Sequence, residues 1–210
     1  MREITIKVYK FEELPEDVQE RIIEDRKEYS SIDSIDFNEV HAQFILDHWK
    51  EKLETLGFEN AEIQYSGFYS QGDGASFTAD VNLEKVLNAL VMCDSTTAHW
   101  NHDRLNFERL YTFASEGLIE YTLERSNHSR YVHENTIRTR VINHTYSNHE
   151  THANMFSELE FQIDQMRIDL CCAIHSDLER EWDYIHSDEY IKEEIEAGDC
   201  EYDITGQQMN

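Results

Sequence analysis

The residues whose type and spacing could act on another molecule are carboxylates. Between residues 177 and 203 stand Asp177, Glu179, Glu181, Asp183, Asp188, Glu189, Glu193, Glu194, Glu196, Asp199, Glu201 and Asp203, opposed only by Arg180 and Lys192. Carried on one continuous helix, this stretch would span roughly 40 Å at about 1.5 Å per residue. It would then present about one carboxylate per 3.4 Å, close to the charge spacing of a single DNA strand. A groove lined with Lys and Arg would meet a similar line of charge in either. The plain alternative is a solvated helix face with no partner. A second acidic group, Glu12, Glu13, Glu16, Asp17, Glu20, Glu24, Asp25 and Glu28, outnumbers Arg21, Arg26 and Lys27, and Asp33, Asp36 and Glu39 extend it. Macrodipole and i,i+4 pairing account for part of that second group.

Other chemistry is poorly supported. His144, His149 and His152 share a short polar segment with Glu150, but their spacing fits no standard zinc pattern. A polar loop explains them equally well. His99 and His102 flank Trp100 and Asp103, and His133 alternates with Tyr131 and Asn135 as a strand residue would. Gly72-Asp73-Gly74 lacks the Lys-Ser/Thr of a phosphate-binding loop and joins two strands, so its glycines serve a turn. No nucleophile elbow, zincin helix or kinase set is present. No residue set calls for a cofactor, and no catalytic group is assigned.

Composition narrows the classes further. The 210 residues carry 44 Asp and Glu against 18 Lys and Arg, a formal charge of −26, with a pI near 4.6. Such an excess repels itself in the compact state and calls for compensation by salt or a basic partner. It should also repel nucleic acid and anionic membrane. The 11 Tyr and 10 Phe are too many for a disordered acidic chain. Cys93, Cys171, Cys172 and Cys200 include no CxxC clip and read as free thiols of a reducing compartment. No membrane-length apolar run or signal-peptide core is present, so an intracellular protein is expected.

The elements that must position these groups follow from periodicity. Ile4, Ile6 and Val8 alternate as a strand over 3–9. Pro15, followed by acids, opens a helix whose apolar residues Val18, Ile22 and Ile23 run to about Tyr29, and 30–36 connects. Phe37 to Leu53 is helical, with Gly57 as C-cap. Strands over 61–69 and 75–81 form a hairpin around Ser70–Gly74, with a bulge or close approach at Gly67. Residues 83–90 and 107–113 read as helices. A second hairpin pairs 118–124 with 131–141 through Ser126–Ser129. Phe156, Leu159, Ile163, Met166, Leu170, Ile174, Leu178, Trp182 and Ile185 mark a long helix over 152–186, serving an internal core or a homodimer. A short helix over 187–197 ends at Gly198, before a loose tail to 210. The expected fold is α+β: a mostly antiparallel sheet of about five strands covered by helices, in one domain with 152–197 as a helical C-terminal element.

Two runs carry a resemblance. The opening from Ile4 to Arg21 (Ile4-Thr5-Ile6-Lys7-Val8-Tyr9-Lys10-Phe11-Glu12-Glu13-Leu14-Pro15) resembles that of small phage and prophage proteins, some labelled antitoxin-like. The run Tyr65-Ser66-Gly67-Phe68-Tyr69-Ser70-Gln71-Gly72-Asp73-Gly74-Ala75-Ser76-Phe77, with Arg130–Asn135 downstream, is similar to the same group. The resemblance covers about a third of the chain and brings no chemistry. It implies a phage origin, action in the bacterial host cytoplasm, and a bias toward inhibitors of host defence. The leading expectation is therefore a non-enzymatic inhibitor that acts as an acidic nucleic-acid mimic on the basic channel of a bacterial nucleic-acid-binding protein or CRISPR effector. Asp177, Glu179, Glu181, Asp183, Asp188, Glu189, Glu193, Glu194 and Glu196 would be its contact residues. Rival readings are an antitoxin-like mask for a basic toxin, a metal-dependent hydrolase or nuclease, and a salt-adapted accessory protein. Monomer and homodimer are both open.

Overall fold

A computed structural model describes residues 7–29, 37–92, 104–126, 131–144 and 152–209. In order they form α1 (Glu16–Tyr29), α2 (Ala42–Leu56, entered through a π turn over Phe37–His41), β1 (Phe58–Ser66), β2 (Gly74–Val81), α3 (Leu83–Met92), α4 (Arg104–Ser115), β3 (Ile119–Arg125), β4 (Ile137–Asn143), α5 (Ala153–Ile185), α6 (Asp188–Ala197), β5 (Glu201–Tyr202) and β6 (Gln208–Met209). The α+β class holds. The single sheet of about five strands does not, because among the described residues the strands form three separate two-stranded antiparallel sheets, β1–β2, β3–β4 and β5–β6. Alternation in sequence predicts local hairpins well, but which hairpins share backbone hydrogen bonds is a long-range matter. Here β2 and β3 lie side by side without a ladder between them.

The chain divides into two compact units, one of residues 1–43 with 179–210 and one of residues 44–178. The first is held by a core of Phe11, Leu14, Val18, Ile22, Ile191, Ile195 and Tyr202. Val18 and Ile22 recur at i,i+4 on α1, as do Ile191 and Ile195 on α6, so each helix turns one narrow apolar stripe to the other. Residues 201–209, where the sequence suggests a loose tail, instead form the β5–β6 hairpin. Tyr202 is 3% exposed in this core, and its backbone exchanges two hydrogen bonds with Tyr9, at 2.8 and 2.9 Å. Among the described residues Tyr9 makes only this isolated bridge; residues 3–6 of the expected first strand lie outside them, as does the 30–36 connection.

The second unit buries Trp49, Leu53, Phe58, Phe77, Val86, Leu87, Leu110, Leu159, Ile163 and Ile174 among others. Gly57 ends α2 at φ +98°, as expected of a C-cap. The irregularity in β1 falls at Asn60 (φ 53°), where the register shifts between Glu59 and Glu62, and not at Gly67. Gly67 lies in the loop after the strand. β4 begins only at Ile137; the preceding residues 134–136 make a 3-10 turn capped by His133, whose Nδ1 accepts from Asn135 N at 3.1 Å. His133 is therefore a cap and not a strand residue. On α5 the expected stripe is mostly internal: Leu159, Ile163, Ile174, Leu178 and Ile185 are buried, and Phe156, Met166, Leu170 and Trp182 half-buried. Cys171, Cys172 and Cys200 are free thiols.

Candidate functional site: acidic helices and a glycine-aromatic surface

The acidic stretch is not one helix. α5 stops at Ile185, Ser187 caps α6 by accepting from Tyr190 N at 3.2 Å, and α6 stops at Ala197. Gly198 closes it in a right-handed conformation and leaves the left-handed turn to Asp199 (φ 50°). A regular line of carboxylates at nucleotide spacing is therefore absent from 177–203, because the cap and the C-terminal turn redirect the chain twice. Asp199 and Glu201 pair with Lys10, at 2.9 and 3.9 Å. Asp203 organises the β5–β6 turn, accepting from Thr205 N, Thr205 Oγ1 and Gln207 N, and the Thr205 hydroxyl leads in holding its carboxyl below the usual range.

The nine candidate contact residues divide into groups. Asp177, in the second unit, accepts from Trp49 Nε1 at 3.0 Å. In the first unit Glu181 lies 2.9 Å from His41 Nδ1, and the His41 ring stacks on Phe37 and meets the edge of Tyr190. Glu179 is half-buried and Asp183 exposed near the end of α5. Asp188 pairs with Lys27 of α1. Glu193 accepts from Tyr184 Oη at 2.9 Å and Glu194 from Tyr190 Oη at 3.3 Å, while Glu196 lies 3.8 Å from Lys192. Asp188, Glu189, Glu193, Glu194 and Glu196 are all exposed. So are Glu16, Asp17, Glu20, Glu24 and Asp25 of α1, in the same unit. Packing puts acids of both groups in one unit: the apolar stripes of α1 and α6 share a core with Phe11, Leu14 and Tyr202, and carboxylates of both helices stay exposed.

Their positions along the helices matter. Asp188 and Glu189 sit at the positive N-terminus of α6, where acids stabilise a helix. Glu193, Glu194 and Glu196 crowd its C-terminal half, and Glu179, Glu181 and Asp183 the end of α5; neither last turn holds a base. Acids there oppose the macrodipole at about 0.3–1 kcal/mol each. Glu189 and Glu193 are also a like-charged i,i+4 pair. Helix stability therefore explains the first turn and not the remainder.

A second surface joins the Tyr65–Phe77 run to residues 131–135 downstream. Ser66 Oγ donates to Val132 O at 3.1 Å. A Cβ on Gly72 (φ +92°) would lie 2.5 Å from the Tyr131 ring, and one on Gly74 2.7 Å from His133 Cβ. One on Gly67 would lie 2.7 Å from the Asp73 carboxylate, which also accepts from Ser70 N. Close approach, not the hairpin turn alone, fixes these glycines. Phe68 stacks on Tyr65 and lies against His175, whose Nε2 is 2.9 Å from Gly67 O. Desolvation raises the Tyr65 phenol to about 12. Below this surface Arg167, 2% exposed, donates to Glu134 O at 2.6 Å and twice to Asp164 Oδ1, at 2.9 and 2.7 Å. Sequence reading passed over Arg167. Its one signal was a cation standing within the apolar stripe of α5.

The histidine expectation resolves only in part. His144 Nε2 lies 3.3 Å from Glu120, and the His152 ring packs on Phe113 and Phe156. His149, His99, His102 and Cys93 lie outside the described residues. Among the described residues no cluster of three or more His, Cys, Asp or Glu could hold a metal ion, and no helix is long and apolar enough to cross a membrane.

Comparison with known proteins places the chain in a family: residues 41–188 match DUF8835, a domain of unknown function, and the chain belongs to it. No curated protein and no solved structure matches. The match contains the whole second unit and both halves of the glycine-aromatic surface. Residues 7–29 and 189–209, which supply most of the first unit's core and much of its acidity, lie outside it.

Proposed function

We propose that this member of the DUF8835 family is a non-enzymatic inhibitor that presents the carboxylates of its first unit to a cationic, nucleic-acid-binding surface of another protein. The phage resemblance favours a bacterial defence nuclease or CRISPR effector as that target. The observation that carries the reading is the crowding of Glu193, Glu194 and Glu196 at the end of α6, where all three are exposed and oppose the helix dipole. Packing of α1 against α6 supports it by keeping a second carboxylate face in the same unit. The carboxylates would not copy a phosphate strand in register. They would supply a cluster of negative potential, which speeds encounter with a basic cleft and excludes its polynucleotide by occupancy.

The test is capture from bacterial lysate on the immobilised protein, with the bound proteins identified and then challenged with duplex DNA. A nucleic-acid-binding protein that DNA displaces, and whose retention falls steeply with salt, is expected. A Glu189→Lys, Glu193→Lys, Glu194→Lys variant should lose the capture and keep the parent's circular dichroism, because all three side chains are exposed. Capture that survives charge reversal, or that is indifferent to salt, overturns the proposal.

A further inference from the structure

The β3–β4 hairpin leaves one edge of its ladder open. Ser126 N donates to Thr136 O at one end and His144 N to Leu118 O at the other, at 2.9 and 2.8 Å. Between them the register is unbroken, from Ile119 opposite Asn143 to Arg125 opposite Ile137. In an antiparallel ladder the bonded pairs recur at every second residue. Arg138, Arg140 and Ile142 are therefore the residues of β4 bonded to β3. The N–H and C=O groups of Thr139 and Val141 point the other way, off the outer edge. Among the described residues β4 pairs with β3 alone, and no hydrogen bond meets those four groups.

An open edge is a template for a further strand, and its flanking charges decide what pairs there. Thr139 turns its side chain to Asp164 of α5, so Arg138 and Arg140 take the opposite face, and both are exposed. Among the described residues neither forms an ion pair. Glu124 stands across from Arg138, but only Thr122 across from Arg140. These arginines select the occupant. A second copy paired about Thr139 would set Arg138 against Arg140, and every register would bring together two chains of charge −26. A lysine-rich strand would meet the same two cations. A strand with Asp or Glu at alternate positions places a carboxylate beside each. We propose that the outer edge of β4 receives an extended acidic segment of a protein partner as an added strand, bonded through the Thr139 and Val141 backbone and held in register by Arg138 and Arg140. The edge lies in the family-matched unit and uses none of the first unit's carboxylates, so it is independent of the function proposed above.

The test titrates the full-length protein with acetyl-Thr-Glu-Val-Glu-Val-Glu-Thr-amide at about 0.3 M salt, where the Debye length is roughly 6 Å and the chain's diffuse repulsion is suppressed. The controls are its lysine analogue and an analogue N-methylated at the interior residues, which keeps the charges and loses the donors. Amide hydrogen exchange is read by NMR at Arg138, Thr139, Arg140 and Val141. In the free protein Thr139 and Val141 should exchange fast, and Arg138 and Arg140, bonded to β3, slowly. At saturation the acidic peptide should slow Thr139 and Val141 by at least about tenfold. Neither control should slow them. An Arg138→Gln, Arg140→Gln variant should keep the parent's circular dichroism, since both side chains are exposed, and bind at least about threefold more weakly through loss of two cross-strand ion pairs. The response should persist in the Glu189→Lys, Glu193→Lys, Glu194→Lys variant, so failure of the acidic-surface reading and failure of this one are distinguishable. Slow exchange at Thr139 and Val141 in the free protein, equal slowing by either control, undiminished binding in the double variant, or no saturable response to the acidic peptide overturns the proposal.

Discussion

Removing the Tyr202 ring tests the least anticipated feature of the fold, the structural role of residues 201–209. Tyr202 is all but buried among Phe11, Leu14, Val18, Ile22, Ile191 and Ile195, and these seven residues form one buried cluster of the first unit. Truncating a buried aromatic ring to alanine costs about 3–5 kcal/mol in transfer and cavity terms. The Tyr9 bridge is made by backbone and survives the substitution, so the ring's packing is what the experiment isolates. A small unit with one core has only a few kcal/mol in hand, so Tyr202→Ala should largely unfold it. Tyr202→Phe keeps the ring and loses only a hydroxyl hydrogen bond, about 1 kcal/mol at most. Urea titration followed by amide hydrogen exchange at Val18, Ile22, Ile191 and Ile195 gives the readout. Protection at all four should collapse in Tyr202→Ala and persist in Tyr202→Phe. If residues 201–209 were a solvated tail, Tyr202→Ala would fall within about 0.5 kcal/mol of the parent. That result would refute the packing argument.

Three further outcomes follow from the second unit. Asp164→Asn should cost about 3–5 kcal/mol, because it leaves the buried Arg167 guanidinium without its counter-charge; Arg167→Met should cost clearly less, because the stranded Asp164 carboxylate is 32% exposed and can be hydrated. Paired urea midpoints read the difference, and the reverse order would contradict the assigned burial. Gly74→Ala should destabilise by about 1–3 kcal/mol through collision with His133 and the Val132 carbonyl, against the gain of a few tenths that alanine brings at an unconstrained site; thermal melting distinguishes the two signs. Native-state alkylation at pH 8 should leave Cys171 unmodified, since burial pushes its thiol up to about 11 and blocks access, while exposed Cys172 reacts; mass spectrometry shows Cys171 labelled only after denaturation.

Helices were largely legible in the sequence because their signals are local. The Val18–Ile22 spacing, Pro15 and its following acids gave α1, and the long apolar stripe gave α5 nearly to the residue. The hairpins were legible for the same reason, through short-range alternation around turn residues. Sheet partnership was not, because a strand edge carries no residue code for the neighbour it meets. The role of Tyr202 was equally hidden: one aromatic in a polar tail has no periodicity, and its anchor is Tyr9, almost the whole chain away.

By itself the sequence determined the charge excess, the class of the fold and the Tyr65–Phe77 run that marks one half of the glycine-aromatic surface. Those are properties of residue type and near-neighbour spacing. The tertiary structure alone decided that α1 and α6 share one core and so put two sets of carboxylates in one unit. It also decided that Ser187 and the turn after Ala197 break the acidic line, and that Tyr131 and His133 close over glycines some 60 residues earlier. The physical reason is common to all three: burial and close approach join residues that sequence separation keeps apart, and only a folded chain specifies those distances.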